Sequence, residues 1–282
     1  MPNISSGQLR NIVLMSHSGA GKTMLAEAML YDSGVTSRMG TIEDGTTTSD
    51  YEIEEIRRQT SVQTSVVSYN WRNHKINVID TPGYADFRGQ AISGFRVADG
   101  AVIVIAAPSG LEVGTHQMWQ MAEVRKMPRI VFISKMDREN ADFERVMSSI
   151  KETFGRQCVP LNMPIGAETS FSGIIDLLNS DTESSEATNE IINKAREQLT
   201  EAIAETDDNL ATKYLEGESI SIEELKSGLK EGVANGTIVP VLVGSSTMNI
   251  GTKELMDAIT DYMPSPEGID PTTNISDGKK EK

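Results

Sequence analysis

Five short stretches of the chain are apolar throughout and rich in β-branched residues. They span residues 12–15, 76–79, 101–107, 130–133 and 239–243. They do not alternate with polar residues, which is the pattern of strands covered on both faces of a parallel sheet. We therefore predict five buried strands.

Amphipathic stretches lie between these strands, at residues 22–30, 87–97, 117–126 and 143–154. Strands that alternate with helices indicate an α/β fold with a mostly parallel sheet and helices on both faces. Residues 62–69 alternate more loosely and turn at residues 71–74 into the next strand. We predict that residues 62–69 form an antiparallel edge strand.

Two regions interrupt this rhythm. The threonine-rich segment, residues 38–61, is polar and too long for a simple connection in a compact domain. The inserted segment, residues 158–238, opens with strand-like pieces at 159–165 and 171–178 and then becomes helical. We predict a main domain of residues 1–157 and 239–263, interrupted by an α+β subdomain between its fifth and last strands. Residues 264–282 have almost no apolar side chains, so we expect a flexible tail.

The net charge is −15, and residues 181–231 alone contribute −9, with fourteen acidic against five basic residues. Such an acidic chain repels phosphate backbones, which argues against a broad or sequence-specific nucleic-acid surface. The acidic residues of the inserted segment have two interpretations: a solvated helical face, or a surface that attracts a basic partner.

The chain has one cysteine, Cys158, so no disulfide can form within it, as is typical of a reducing compartment. Its neighbours Val159 and Pro160 favour a buried strand thiol over a nucleophile. Residues 1–10 are polar, unlike a signal peptide, and no apolar stretch is long enough to span a bilayer. We expect a cytoplasmic protein with no membrane partner.

A phosphate-binding pattern follows the first strand and opens the first helix. It consists of Ser16, His17, Ser18, Gly19, Ala20, Gly21, Lys22, Thr23 and Met24. Backbone N–H groups of such a loop and the helix N-terminus point at phosphate oxygens. Lys22 would reach the β- and γ-phosphates, and the Thr23 hydroxyl would bind Mg²⁺. Ser16 stands where the pattern normally has its first glycine.

A second pattern ends the strand at residues 76–79. It consists of Asp80, Thr81, Pro82, Gly83 and Tyr84. A carboxylate at Asp80 can hold Mg²⁺ through a water, and the Gly83 N–H can approach a γ-phosphate. A plain turn is the alternative, since Asp, Pro and Gly all form turns. Two phosphate patterns at consecutive strand ends favour a phosphate site.

Base recognition is predicted after the last two buried strands. The residues are Ser134, Lys135, Met136 and Asp137 after one strand, and Gly244, Ser245, Ser246 and Thr247 after the other. Asp137 can accept from the N1–H and 2-amino groups of guanine, the Lys135 stem can cover the purine, and loop N–H groups can donate to O6. Ligands of open α/β sheets bind beyond these strand ends. Adenine lacks the donor pair, which disfavours an ATPase.

Further motifs resemble elongation factor G. They lie at residues 45–51, 86–87, 128–130, 136–138, 165–168, 173–177, 213–215 and 261–266. The resemblance covers about residues 8 to 266 and implies the P-loop fold of a translational GTPase. It also implies GTP and GDP as ligands, Mg²⁺ as cofactor, and a ribosomal partner that includes the stalk protein. The tetracycline ribosomal-protection proteins share many of these motifs and are the nearest alternative.

Three positions depart from the elongation factor G pattern. Tyr84 replaces the histidine that orients the attacking water, and a phenol stays neutral at pH 7. Ser134 replaces an asparagine that braces the guanine loop. Ser61 replaces the threonine that meets Mg²⁺, with Thr60 as a register alternative. The chain is thus similar to the divergent elongation factor G-like paralogues.

The departures leave two hypotheses. One is a GTPase triggered by the ribosome, with a slow intrinsic rate, in which Lys22 and Tyr84 are the catalytic candidates and Thr23, Ser61 and Asp80 bind the metal. The other is a nucleotide-sensing module with negligible hydrolysis, marked by Tyr84. In the resembling family a β-barrel domain follows the Pro-Ser-Pro at residues 264–266. The resemblance therefore leaves open an excised fragment or a stand-alone domain, and we expect a monomer.

Overall fold

The computed structural model describes residues 4–179, 186–267, 274–276 and 279–281. Its centre is a seven-stranded sheet. The strands are β1 (Leu9–Met15), β2 (Ser65–Trp71), β3 (His74–Asp80), β4 (Gly100–Ala106), β5 (Arg129–Ser134), β6 (Cys158–Pro160) and, after two strands outside this sheet, β9 (Val239–Val243). Their order is β2-β3-β1-β4-β5-β9-β6. All neighbours pair in parallel except β2 and β3, so the predicted antiparallel edge strand is confirmed.

Nine helices occur in the described residues. They are α1 (Lys22–Asp32), α2 (Ile53–Arg58), α3 (Arg88–Val97), α4 (Val113–Val124), α5 (Phe143–Phe154), α6 (Glu186–Ala204), α7 (Asp208–Glu216), α8 (Ile222–Asn235) and α9 (Thr252–Tyr262). None of these helices is long and apolar enough to cross a membrane.

The central strand β4 shows how both faces of the sheet are covered. Its residues are all buried, and alternate side chains point to opposite faces. Val102 and Val104 pack into a core that includes apolar residues of α1 and α9. Ile103 and Ile105 pack into a second core with residues of α4 and α5. Helices thus cover both faces, which confirms the predicted α/β architecture.

The start of the inserted segment differs from the sequence prediction. Residues 158–160, which the sequence prediction assigned to the inserted segment, form β6, which pairs in parallel with β9 in the main sheet. A separate antiparallel hairpin, β7 (Asn162–Ile165) and β8 (Gly173–Asp176), follows, and helices α6, α7 and α8 complete the segment. The rest of the proposed division into two domains stays a prediction.

Cys158 lies on β6 and is fully buried. Burial raises the pKa of its thiol to about 12, which leaves it protonated and unreactive at neutral pH. The prediction of a structural strand thiol is confirmed. Beyond α9, two three-residue strands, β10 (Asn274–Ser276) and β11 (Lys279–Glu281), pair antiparallel. Within the predicted tail, 264–282, residues 268–273, 277–278 and 282 lie outside the described residues.

Candidate nucleotide-binding site

A cleft of about 480 Å³ opens at the carboxyl ends of the parallel strands, where the topology rule for open α/β sheets places ligands. Three loops that follow β1, β5 and β9 line it, together with the start of the loop after β3 and part of the threonine-rich segment. The lining residues are Ser18, Gly19, Gly21, Lys22, Thr23, Met24, Thr41, Ile42, Glu43, Asp50, Gln59, Thr60, Ser61, Gly83, Tyr84, Ser134, Lys135, Arg138, Ser246 and Thr247.

The loop after β1 is shaped to expose backbone N–H groups. Gly19 and Gly21 have φ angles of 77° and 100°, a region that glycine enters without strain. α1 begins at Lys22 with no capping side chain and no acidic residue in its first turn. Its first N–H groups and the positive end of its dipole are therefore available to an anion.

Lys22 is buried at the base of this loop. Its Nζ donates to the Ser16 hydroxyl at 2.8 Å, and Ser16 in turn donates to the His17 carbonyl at 2.6 Å. Burial lowers the pKa of Lys22, while the nearby carboxylates of Asp80 and Asp50 raise it in part. Ser16, the departure from the glycine pattern, therefore holds the lysine ammonium in place.

Three oxygen-bearing side chains meet beside Lys22. The Thr23 hydroxyl donates to Asp80 Oδ2 at 2.9 Å and lies 3.0 Å from the Ser61 hydroxyl. Asp80 is only 1% exposed, and its Oδ1 has no hydrogen-bond partner in the described part of the chain. Burial raises the pKa of Asp80, and Lys22 and Thr23 counteract this in part.

These residues fit Mg²⁺. The ion prefers carboxylate and hydroxyl oxygens, and Asp80 Oδ1 is a buried acceptor that needs a cation or a donor. The contact with Thr23 is made by Ser61, so the structure favours Ser61 over the register alternative Thr60, which lines the cleft without this contact. Thr23, Ser61 and Asp80 are therefore brought together as predicted.

Sequence reasoning missed two residues of this cluster, Ser49 and Asp50. The Ser49 hydroxyl donates to Asp80 Oδ2 at 3.1 Å. Asp50 is 5% exposed, bonds to Ser61 and lies near both Asp80 and Lys22. Burial raises the pKa of Asp50 to about 6, despite the hydrogen bond to Ser61 that lowers it. The available signal was an acidic residue beside a hydroxyl within the threonine-rich segment.

The pKa of Asp50 predicts a pH-dependent metal requirement. Asp50 becomes protonated as the pH falls through about 6 and then attracts a cation less. We expect the Mg²⁺ concentration that half-saturates GTP binding to rise between pH 7 and pH 5. Titration of a fluorescent GTP analogue with MgCl₂ at each pH measures this.

Two variants test the assignment to Asp50. Asp50→Asn should flatten the pH dependence. Asp44→Asn, at an exposed position of the same segment that does not line the cleft, should leave it intact. In the absence of Mg²⁺, the measured quantity is the free energy of unfolding. The folded protein takes up a proton at Asp50 at a higher pH than the unfolded chain does. Wild type should therefore gain stability relative to Asp50→Asn as the pH falls toward 4. The same pH profile for Asp50→Asn and wild type would contradict the assignment.

The loops after β5 and β9 meet at Asp137. Asp137 Oδ2 accepts from the Thr247 hydroxyl at 3.2 Å, and Thr247 lies 3.1 Å from the Ser245 hydroxyl. Asp137 Oδ1 is buried, and no described residue donates to it. A carboxylate that is held by one oxygen and free at the other suits a pair of donors such as the N1–H and 2-amino groups of guanine.

Ser134 and Lys135 tie the β5 loop to the loop after β1. The Ser134 hydroxyl donates to the Ala20 carbonyl at 2.6 Å, and Lys135 Nζ donates to the Gly19 carbonyl at 2.6 Å. The resemblance to elongation factor G implies that the change from asparagine to serine loses an amide that braces the guanine loop. In the structure, the Ser134 hydroxyl makes a buried hydrogen bond to the phosphate loop.

Several predicted residues support the cleft without lining it. The side chain of Met136 is fully buried in the core beside β5. Its backbone N–H donates to the Gly244 carbonyl, and its carbonyl accepts from the Glu168 N–H. The Thr81 hydroxyl donates to the Leu14 carbonyl at 2.7 Å. His17 Nε2 lies 3.6 Å from Glu112. Ser16, Ala20, Pro82, Ser245 and the carboxylate of Asp80 likewise act from behind the lining surface.

Gly83 and Tyr84 close one side of the cleft. A methyl group at Gly83 would lie 2.7 Å from Lys22 Nζ and 2.8 Å from Ser18 Cα, so only glycine permits this approach. Tyr84 is 49% exposed, lines the cleft, and precedes a short 3₁₀ turn at Ala85–Phe87. The residue predicted to face the attacking water therefore lies at the mouth of the cleft.

Two comparisons with known proteins agree with this geometry. The family model described as the elongation factor Tu GTP-binding domain matches residues 7–265. A crystal structure of a protein from Thermus thermophilus superimposes with a TM-score of 0.86 at 34% sequence identity and covers 92% of this chain. This chain spans 41% of that protein's length. Since the family model matches far more than half of the sequence, the chain belongs to the translational GTPase family as a GTP-binding domain of the elongation factor Tu type.

Proposed function

We propose that this chain is the guanine-nucleotide-binding domain of an elongation factor G-like translation factor that couples GTP hydrolysis to a step on the ribosome. The observation that supports it most is Asp137, a partly buried residue that has one buried, unpartnered carboxylate oxygen in the described part of the chain. Its other oxygen accepts from Thr247, which lines the same cleft as Lys22 and Thr23. The motifs shared with elongation factor G along most of the chain support the narrower assignment. We also propose a cytoplasmic location.

The chain's own residues perform most of the binding. The loop after β1 and the N-terminus of α1 surround the β- and γ-phosphates, and Lys22 adds a charge. Gly83 brings its backbone close to Lys22 Nζ, and its N–H could approach a γ-phosphate there. Thr23, Ser61 and Asp80 would hold Mg²⁺, which neutralises the phosphate oxygens when bound.

The nucleotide is proposed to control the threonine-rich segment. Ser61 and Asp50 belong to this segment. Ser61 lies against the Thr23 hydroxyl, and Asp50 bonds to Ser61. A γ-phosphate and Mg²⁺ would therefore fix residues 38–61 and the neighbouring residues 80–90, and hydrolysis would release them. This is the usual logic of a nucleotide switch, in which a charge change acts on a segment with two states.

One observation favours a second candidate, a nucleotide-sensing module with negligible hydrolysis. Tyr84 presents a phenol at the mouth of the cleft, and no histidine is among the described residues that line the cleft. The same position does not separate a translocation factor from a ribosomal-protection factor, which remains an alternative within the first proposal.

Two measurements test the proposed function. Labelled GDP should be displaced by GTP and GDP at similar concentrations and by ATP only at far higher ones, and equal displacement by ATP would refute guanine binding. Single-turnover hydrolysis with and without ribosomes separates the two candidates. Stimulation by ribosomes supports the GTPase, and hydrolysis at the uncatalysed rate in both conditions supports the sensing module.

The inserted segment is proposed to contact the ribosomal stalk protein. Glu197 and Glu201 lie on α6. Glu205 directly follows this helix, and its N–H donates to the Glu201 carbonyl at 3.0 Å. All three side chains are exposed. Acidic groups spaced by four residues form one face of a helix and can steer a basic partner surface.

We expect the triple change of Glu197, Glu201 and Glu205 to glutamine to slow association with the stalk protein and to flatten its salt dependence. Such steering weakens as the Debye length falls to about 8 Å at physiological ionic strength. Stopped-flow binding at several salt concentrations measures the effect. The matched control changes the exposed Glu216, Glu218 and Glu223, which removes the same charge elsewhere in the segment. Equal association rates for both triple variants and wild type at low salt would indicate a solvated face only.

A further inference from the structure

Glu27 is a buried carboxylate on α1 that has no part in the nucleotide contacts described above. It is 2% exposed and lies one helical turn after Thr23, on the same face of the helix. Charged side chains are rarely this buried unless they are paired or fully hydrogen-bonded. Its partners are therefore informative.

In the part of the chain that the structure describes, the hydrogen-bond partners of the Glu27 side chain lie in the threonine-rich segment. Its Oε1 accepts from the Gly40 N–H at 3.0 Å and from the Thr48 hydroxyl at 3.3 Å. Its Oε2 accepts from the Thr48 N–H at 2.9 Å. One carboxylate thus joins the two ends of a nine-residue loop, residues 40–48, to the helix that carries Lys22 and Thr23.

The loop is also closed internally. The Thr41 N–H donates to the Thr46 hydroxyl at 3.0 Å, and the Thr46 N–H donates to the Thr41 carbonyl at 3.1 Å. Gly40 fits only because it lacks a side chain, since a methyl group there would lie 2.2 Å from the Thr46 carbonyl oxygen and 2.9 Å from Glu27 Oε1. The hydrogen bonds from Gly40 and Thr48 to Glu27, which we call the clamp, therefore fit this loop conformation closely.

The loop that Glu27 holds ends directly before two residues that contact the proposed magnesium ligands. Ser49 and Asp50 follow Thr48 in sequence, and they bond to Asp80 and Ser61. Fixing Thr48 against α1 therefore fixes where Ser49 and Asp50 lie relative to Thr23. Mutating a group that orients a metal ligand typically lowers metal affinity by about 10- to 100-fold.

We propose that Glu27 is a positioning residue for the magnesium site: it clamps residues 40–48 to α1 and thereby sets the Mg²⁺ concentration at which GTP binds tightly. The inference rests on the proposed function, because it presumes a magnesium-dependent guanine nucleotide. It adds to that function a specific set of hydrogen bonds that connects α1 with the threonine-rich segment.

The test compares wild type with Glu27→Gln, which keeps the size but turns one acceptor oxygen into a donor that faces an N–H group. We expect the Mg²⁺ concentration that half-saturates binding of a fluorescent GTP analogue to rise about tenfold. Binding of the analogue in EDTA should not change. Without nucleotide, trypsin should cut after Arg38, just outside the clamped loop, faster than in wild type.

Two further variants complete the test. Gly40→Ala displaces the same loop from its other side and should reproduce both effects, so the inference stays testable if Glu27→Gln does not fold. Glu54→Gln removes a partly exposed carboxylate from α2 and should change neither readout. If wild type requires Mg²⁺ for tight GTP binding and the Glu27 and Gly40 variants show the same Mg²⁺ requirement and the same trypsin cleavage, this inference is overturned and the proposed function is not. A wild type whose GTP binding ignores Mg²⁺ would overturn the inference and weaken the proposed function, and the trypsin comparison would still report on the clamp.

Discussion

Replacing Asp137 by alanine is expected to weaken GDP and GTP binding by about 10- to 100-fold, because a bidentate base contact contributes about 1–3 kcal/mol. ATP binding should change little, since adenine offers no matching donor pair. Equilibrium competition against labelled GDP measures all three affinities. The preference for guanine should therefore largely disappear in the variant.

The structure explains why this effect should be large. Thr247 holds one carboxylate oxygen of Asp137, so the side chain is already oriented before the base arrives, and little entropy is lost on binding. Asp137→Asn keeps the shape but exchanges one acceptor for a donor, and it should weaken guanine binding at least as strongly.

Ser134→Ala is the matched control. It removes the bond to the Ala20 carbonyl and should weaken all nucleotides together, because this bond braces the phosphate loop and not the base. A variant at Asp137 that keeps its preference for GTP over ATP would refute the assignment of this residue.

Changing Tyr84 to histidine is expected to raise ribosome-stimulated GTP hydrolysis in the complete factor by about 100-fold or more, the range attributed to a positioned proton-transfer group. Imidazole can accept a hydrogen bond from the attacking water and can become a cation near the developing charge, which the phenol cannot do at pH 7. Single-turnover hydrolysis with excess ribosomes isolates this step.

The position of Tyr84 permits the exchange. Its side chain is half exposed at the mouth of the cleft, so the smaller ring creates no buried cavity. Tyr84→Phe is the control, and it should hydrolyse GTP at or below the wild-type rate. If Tyr84→Phe changed nothing while Tyr84→His abolished activity, the role assigned to this position would be wrong.

Much of the fold follows from local sequence patterns. The boundaries of α5 and β9 agree with the sequence prediction, because a strong amphipathic period and a short β-branched run define them without distant contacts. α2 was missed. It has only six residues, and Glu55 within it is stabilised from outside by the N–H groups of Val62 and Gln63. Such long-range support leaves no periodic pattern.

The assignment of residues 158–160 to the inserted segment has a similar cause. Residues 158–160 are followed after one residue by β7, so the two strands read as one continuous stretch. The partner of β6 is β9, about eighty positions along the chain, and parallel pairing of this kind has no local signature.

The residues of the candidate site also differ in how well the sequence predicts them. Lys22 and Asp137 are predicted because each belongs to a short motif whose residues have a fixed spacing along the chain. Ser49 and Asp50 were missed because the folding of residues 40–48 against Glu27 brings them to Asp80. Met136 was assigned to the site by its place in a motif, whereas its side chain points into the core.

The parallel pairing of β6 with β9 has a consequence for protein engineering. Two adjacent parallel strands need a connection that returns from one end of the sheet to the other, and about a dozen residues are enough for it. Residues 161–238 are that connection, enlarged several-fold. Exchanging their helical part between relatives would keep this strand connection. The exchanged helices would have to fit the sheet, because Leu199 of α6 and Leu229 of α8 share a hydrophobic core with Val102 of β4. Joining residue 160 directly to residue 239 would instead place the two strands head to tail, and β9 would leave its position between β5 and β6.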